Sequence, residues 1–295
     1  MSDTSLLFDA DFLRRLEYLD VVARKILQGR IRAERMTTKR GTSVEFEDYR
    51  SYTPGDDLRY VDWNVFGRLE ELFLKLFREE ENLHMTVLLD CSQSMAFGQP
   101  DKFLYARQVA AAIAYIGMSN LDDANVRPFT RDMEAAAERM RGKGKVKVLF
   151  PFLTELQHRG ETDMRRAFKR YVALERRRGV VVLVSDLYDR DGIVPALRYL
   201  KSRKHEVFVV HVMDKEEVDP PLRGDLRLVD SETQGYKDIT VTDALRARYK
   251  QAFEGHARAV ETYCRGAEIG YVRALTQIPF DTLVLKILKR GGLVA

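Results

Sequence analysis

The 295-residue sequence is short of the features that would commit it to several common classes. It has two cysteines, Cys91 and Cys264, far apart and without Cys or His companions at ligand spacing, which excludes a disulfide framework and a zinc site. They read as buried thiols. Eight Pro and 18 Gly are too few for long flexible linkers. The longest apolar run, Val109 to Met118, falls far short of the roughly 20 residues a spanning helix needs, so no membrane crossing is expected. The N-terminus reads Met1-Ser2-Asp3-Thr4-Ser5-Leu6-Leu7-Phe8-Asp9, with neither the cationic start nor the apolar stretch of a secretory signal, and a cytoplasmic location is expected. An excess of one charge is lacking too, since 49 Lys and Arg face 45 Asp and Glu for a net +4. Internal repeats and low-complexity segments are absent.

With 45% apolar and 32% charged residues, the chain has the content to build a sizeable core. Between positions 14 and 40, nine basic residues stand against three acidic ones, the one marked charge asymmetry. A dock for nucleic acid or anionic lipid is the functional reading of that segment, but aromatic interleaving is missing and a solvated helix face followed by a basic loop explains it more simply. Apolar residues at helical spacing, among them Phe12, Leu16, Leu19, Ala23 and Ile26, predict one or two amphipathic helices over 9–35. From Ser43 to Glu80 the period drops to two and predicts strands, interrupted by the Pro-Gly turn of Thr53-Pro54-Gly55-Asp56-Asp57.

Beyond Asn82, apolar strands alternate with helices. Strands are expected at Leu83–Leu89, Asn125–Phe129, Val180–Val184, Val207–Met213 and Ile269–Leu275. Helices are expected at Lys102–Met118, Val146–Leu156, from Thr162 or Asp163 to about Arg177, at Ile193–Ser202 and at Pro279–Lys289. In this reading Arg176, Arg177 and Arg178 complement the dipole of the third of these helices. A hairpin is expected over Leu226–Val241, and then a long helix capped by Thr242 that buries Leu245, Tyr249, Phe253, His256, Val260 and Cys264 on one face. Fully apolar strands alternating with helices imply an α/β fold, a doubly wound and mainly parallel sheet of Rossmann type. The expected division is an N-terminal helical and β extension over 1–81 and an α/β domain over 82–295.

In such a sheet, ligands sit at the carboxyl ends of strands. Three features of the sequence converge there. The first central strand ends in Asp90-Cys91-Ser92-Gln93-Ser94, Asp186 closely follows the Val180–Val184 strand, and Thr162 precedes a helix. Two carboxylates and three hydroxyls are hard oxygen ligands that suit Mg²⁺ or Mn²⁺. Ser92 and Ser94 are placed to bind the ion, Asp90 and Asp186 to hold its waters, and an open coordination position is left for an acidic side chain of a partner. The rival reading is a Mg²⁺-dependent phosphatase or phosphotransferase using Asp90 as nucleophile. Against it, the second residue after Asp90 is Ser92, where phosphatases resembling haloacid dehalogenases carry a second Asp. No P-loop, G-x-S-x-G elbow or G-x-G-x-x-G fingerprint occurs, so the chain is read as non-enzymatic.

Asp90-x-Ser92-x-Ser94, Thr162 and Asp186 resemble, in order and strand context, the metal-ion-dependent adhesion site (MIDAS) of von Willebrand factor type A domains. The stretch from Val44 to Trp63, with Asp48, Arg50, Asp56, Asp57, Arg59 and Asp62, resembles the hallmark of a bacterial family known only as domain of unknown function number fifty-eight. The resemblance covers roughly Gly41 to Arg290. It implies a von Willebrand factor A-like fold and a metal-dependent protein-binding module. It further implies a protein partner, a MoxR-type AAA+ ATPase, and a role in metal insertion or complex maturation. The residue before the Thr is often Gly in such sites; here it is Glu161, an extra acid expected beside the metal.

Overall fold

The computed structural model describes residues 7–34, 45–78, 84–120, 123–189, 192–229 and 235–289. It divides into two compact units, residues 27–82 and residues 1–26 with 83–295.

The larger unit is built on a five-stranded, wholly parallel sheet of β3 (His84–Asp90), β4 (Asp123–Phe129), β5 (Val180–Ser185), β6 (Glu206–Met213) and β9 (Gly270–Leu275), in the order β4-β3-β5-β6-β9. Every residue of β5 is buried, as expected of a strand covered on both faces. The chain leaves β3 for β4 on one side and returns to β5 on the other. The sheet therefore has its switch point between β3 and β5, where an open α/β sheet parts its loops and leaves a crevice.

One face is covered by α3 (Lys102–Asn120), which is buried almost all round because it lies under α9 (Phe280–Lys289). The first helix, α1 (Ala10–Glu34), turns Leu16, Leu19 and Ala23 inward, and Phe12 meets the Phe280 ring at 4.6 Å. The other face carries α5 (Met164–Leu174), α6 (Ile193–Ser202) and α8 (Asp243–Gly266). There Leu88, Leu183 and Val209, in register across three strands, pack with Phe168, Leu197 and Val260. Between β4 and β5 also lies α4 (Val146–Glu155). Between β6 and α8 stand a single turn, α7 (Lys215–Val218), and an antiparallel pair, β7 (Gly224–Val229) and β8 (Tyr236–Val241); the expected turn of this hairpin lies outside the described residues.

The smaller unit pairs β1 (Glu45–Ser51) antiparallel with β2 (Phe73–Arg78) and adds α2 (Trp63–Leu69). The Thr53 carbonyl accepts from the Asp56 amide at 3.0 Å, and Gly55 has φ +103°, which closes the turn at a position only glycine adopts readily. The Asp56 carboxylate accepts from Arg50 at 2.7 Å and from the Thr53 amide and hydroxyl. Asp62 caps α2 and accepts from Tyr49 and Lys75, each at 2.9 Å; the Lys75 ammonium first, and then the Tyr49 and backbone donors, hold its pKa at about 2.

Two expectations need correction. The helix expected to run to Arg177 ends at Leu174, because Glu175 turns extended and its carboxylate is drawn to Arg139 at 2.7 Å. The Arg176–Arg178 run lies beyond the helix and does not serve its dipole; Arg177 pairs with Asp123 and Glu175. The stripe on α8 is buried only in its later turns, at Ala257, Val260 and Cys264. Leu245 and Tyr249, 39% and 40% exposed, stand over open space instead. Most of the basic 14–40 segment lies outside the described side chains; within them Arg14 and Arg15 pair with Asp11, and Arg24 with Asp20. Both cysteines are free and buried.

Candidate functional site

Strand register brings the two carboxylates together. Leu89 pairs with Val184, so Asp90 at the end of β3 lies beside Ser185 at the end of β5, and Asp186 follows at the switch point. Asp90 and Ser92 are wholly buried and Asp186 is 1% exposed. Asp90 Oδ1 accepts from the Ser92 amide at 2.9 Å, and Oδ2 accepts from the Ser185 hydroxyl at 2.6 Å. That hydroxyl also accepts from the Leu187 amide at 2.8 Å, which fixes the loop after β5. Burial, and then the neighbouring charge of Asp186, push the Asp90 carboxyl up to about 7 against the Ser185 and Ser92 hydrogen bonds.

The loop after β3 turns into a short 3-10 helix, Gln93–Ala96, where the Ser92 and Ser94 hydroxyls are hydrogen-bonded to each other at 3.0 Å. The loop before α5 is stitched to it: the Gln93 amide donates to the Gly160 carbonyl at 2.9 Å and the Arg159 amide to the Cys91 carbonyl at 2.8 Å. It is tied to the loop after β5 as well, by the Met164 amide donating to Asp189 at 2.7 Å. Thr162 sits in this stitched loop, with its Oγ1 buried and lacking a hydrogen-bond partner. Such a group is costly unless something beyond the protein completes it.

These residues fit a small hard cation. Cis ligands at about 2.1 Å in an octahedron stand about 3 Å apart, which is the spacing of the two serine hydroxyls. The orphaned Thr162 Oγ1 offers a third oxygen. Among the described residues, no group of three or more His, Cys, Asp or Glu side chains is placed to hold a metal, so the candidate set depends on hydroxyls. Glu161 is engaged by Arg131 at 2.6 Å, and Asp163 caps α5 by accepting from the Arg166 amide, so neither is a bare acid at the site.

Two functional side chains escaped the sequence reading. Lys102, the first residue of α3, is wholly buried and donates to Asp186 Oδ2 at 2.7 Å and to Glu217 Oε1. Burial works against its charge, but the two carboxylates outweigh it and hold its pKa above the ordinary lysine value. Glu217 is itself locked, because its Oε2 accepts from the Asp214 amide in the capping box of α7. Gly98, at φ +99°, lets the loop before α3 press on Asp214, where a Cβ would come within 2.8 Å of the carboxylate. The available signal was a lysine opening a helix whose middle, Val109 to Met118, is apolar.

Beside the hydroxyls, Ser94 and Glu217 line a cleft of about 390 Å³ with Phe97, Tyr188, Leu228, Leu245 and Tyr249. Those five are among the large apolar side chains that are exposed in this unit. Among the described residues no helix is long and apolar enough to cross a membrane.

Residues 48–259 match the family described as "Protein of unknown function DUF58". Over 265 residues the chain is 27% identical to the uncharacterized protein Rv1480 of Mycobacterium tuberculosis, covering 88% of this chain and 83% of that one. Among solved structures, it is similar to an aerotolerance-related membrane protein from Bacteroides fragilis, with 16% identity, 70% and 97% of the two chains covered and a TM-score of 0.45. It is also similar to the SpRpn10 VWA domain, with 13% identity, 70% and 94% covered and a TM-score of 0.38.

Proposed function

The chain belongs to the family described as protein of unknown function DUF58, and within it we propose a non-enzymatic, metal-dependent protein-binding module. Ser92, Ser94 and Thr162 would hold Mg²⁺ or Mn²⁺ through their hydroxyl oxygens, and Asp90 and Asp186 would orient its waters. With neutral direct ligands the bound cation supplies an electrophilic position for a partner's carboxylate. The observation that carries this reading is the buried, partnerless Thr162 Oγ1 in a loop bonded to the one that holds the Ser92 and Ser94 hydroxyls 3.0 Å apart. The apolar cleft that shares Ser94 gives the side chains flanking that carboxylate a place to bury.

The partner in this proposal is a MoxR-type AAA+ ATPase that contributes the acidic residue, and the joint task is maturation or metal insertion in a client complex. A phosphatase role for Asp90 has no observation in its favour: the carboxylate is wholly buried and accepts from the Ser92 amide and the Ser185 hydroxyl. Titration calorimetry with Mn²⁺ and capture of a MoxR-type AAA+ ATPase form one experiment. Heat of binding in the wild type, its loss in Asp90→Ala, and loss of capture on adding EDTA or in Ser92→Ala are expected. Identical isotherms for wild type and Asp90→Ala would sink the cation; capture indifferent to EDTA would sink its role as the bridge.

A further inference from the structure

This inference rests on the cation reading and concerns the buried lysine behind it. Lys102 is wholly enclosed, and its ammonium lies between two carboxylates that belong to different places. Asp186 is part of the candidate metal site. Glu217 belongs to α7 and lines the apolar cleft. The Tyr188 ring, 5.3 Å from the ammonium to its centroid, helps to close the enclosure.

A lysine is a poor choice if the only need is to satisfy Asp186, whose other oxygen already accepts from the Tyr188 amide at 3.2 Å. A buried ammonium is a full charge in a low-dielectric setting, and a cation whose site includes Asp186 would meet it as a like charge. The charge on Asp186 is shared between an internal cation that is always present and an external one that comes and goes. Glu217 is the ammonium's second partner. Its carboxylate cannot drift, because the Asp214 amide holds it, and Asp214 is in turn held by Thr276 at 2.7 Å and Gln277 at 2.9 Å.

We propose that Lys102 is an internal counter-ion that competes with the divalent cation for Asp186, and that Glu217 sets the strength of this competition by drawing the ammonium toward the cleft. Cation affinity in the free chain is thereby kept below what the oxygen set alone would give. Because Glu217 lines the cleft, a side chain seated there acts on the same ammonium, so the cleft and the metal site are electrostatically linked.

The test is Mn²⁺ binding to the full chain, followed by calorimetry and by the electron paramagnetic resonance of free Mn²⁺. Lys102→Met is expected to bind about tenfold more tightly than wild type. Glu217→Gln, which frees the ammonium to lean on Asp186, is expected to bind about threefold or more weakly. Asp219→Asn, an exposed carboxylate two residues further on, is the control for distant charge and should match the wild type. Thermal unfolding in EDTA reports folding separately. Lys102→Met starts from a lower midpoint but gains more on adding Mn²⁺. If it fails to fold, the opposite shift in Glu217→Gln still decides the matter. Equal affinities in wild type and the folded variants overturn the inference and leave the cation reading intact. Absence of binding in all of them, Lys102→Met included, overturns both.

Discussion

The parallel sheet and the small unit of residues 27–82 are held by opposite means. In the sheet unit, β5 is buried along its whole length, and the layer of α5, α6 and α8 closes Phe168 and Val260 over Leu88 and Leu183. In the small unit, the buried side chains among those described are Val61 and Leu74 together with two carboxylates, Asp56 and Asp62. The first region gains its stability from apolar area, which has no direction. The second has too little area for that and fixes its shape with directed bonds: Asp56 gathers Arg50 and Thr53, and Asp62 gathers Tyr49, Lys75 and the first amides of α2. The candidate site combines the two, a polar cluster set on the edge of an apolar sheet.

That contrast predicts its largest effect in the sheet unit. Phe168 is fully buried and meets the Phe129 ring edge-on at 5.3 Å. Phe168→Ala should cost about 3–5 kcal/mol in urea unfolding followed by circular dichroism, since it removes both the ring's burial and its packing partners. A loss below about 1 kcal/mol would mean that this core is far more accommodating than its burial implies.

The next prediction probes a flaw in the apolar region. His205, just before β6, is 2% exposed and lies beside the Tyr171 ring at 5.7 Å. Burial lowers its pKa; the Glu175 charge opposes this and Arg203 adds to it. In the fold the imidazole takes up a proton less readily than in the unfolded chain, where it does so near pH 6.5. Unfolding is then favoured by acid, so stability is complete above about pH 6.5 and falls as the pH drops below it, by at most about 1.4 kcal/mol per pH unit. His205→Leu should flatten the stability profile between about pH 7 and 5. Parallel profiles for the two proteins would show that the buried imidazole is not what responds.

The same contrast explains what could be read in advance. Val180–Val184 declared itself by β-branching, and Asp90 and Asp186 by standing at or just past the ends of such strands, because strand position and ligand position are linked by the topology. Lys102 was out of reach: its two partners lie 84 and 115 residues along the chain, and only sheet order and the packing of α3 bring them to it. Periodicity on α8 found Val260 and Cys264 but wrongly carried the burial back to Leu245, Tyr249 and His256, which are exposed. Leu245 and Tyr249 continue the stripe of Val260 and Cys264 into the cleft. At the end of α5, a run of arginines imitated a dipole partner, while Glu175 had already ended the helix.

The smallest effect belongs to the small unit, where no single group should matter as much as a core ring. Asp56→Ala removes the acceptor shared by Arg50, the Thr53 amide and the Thr53 hydroxyl. Arg50 is 40% exposed along its side chain and can turn to water, so the loss should be about 1 kcal/mol rather than the full cost of a stranded charge. It should also be local. Amide exchange should quicken at Tyr52, which bonds the Leu72 carbonyl across the turn at 2.8 Å, and at Thr53. Trp63, the chain's single tryptophan, gives an optical reporter within the same unit. Unchanged exchange at Tyr52 together with unchanged Trp63 emission would show that the turn stands on its Pro54-Gly55 geometry alone, and that the directed bonds are not what holds this region.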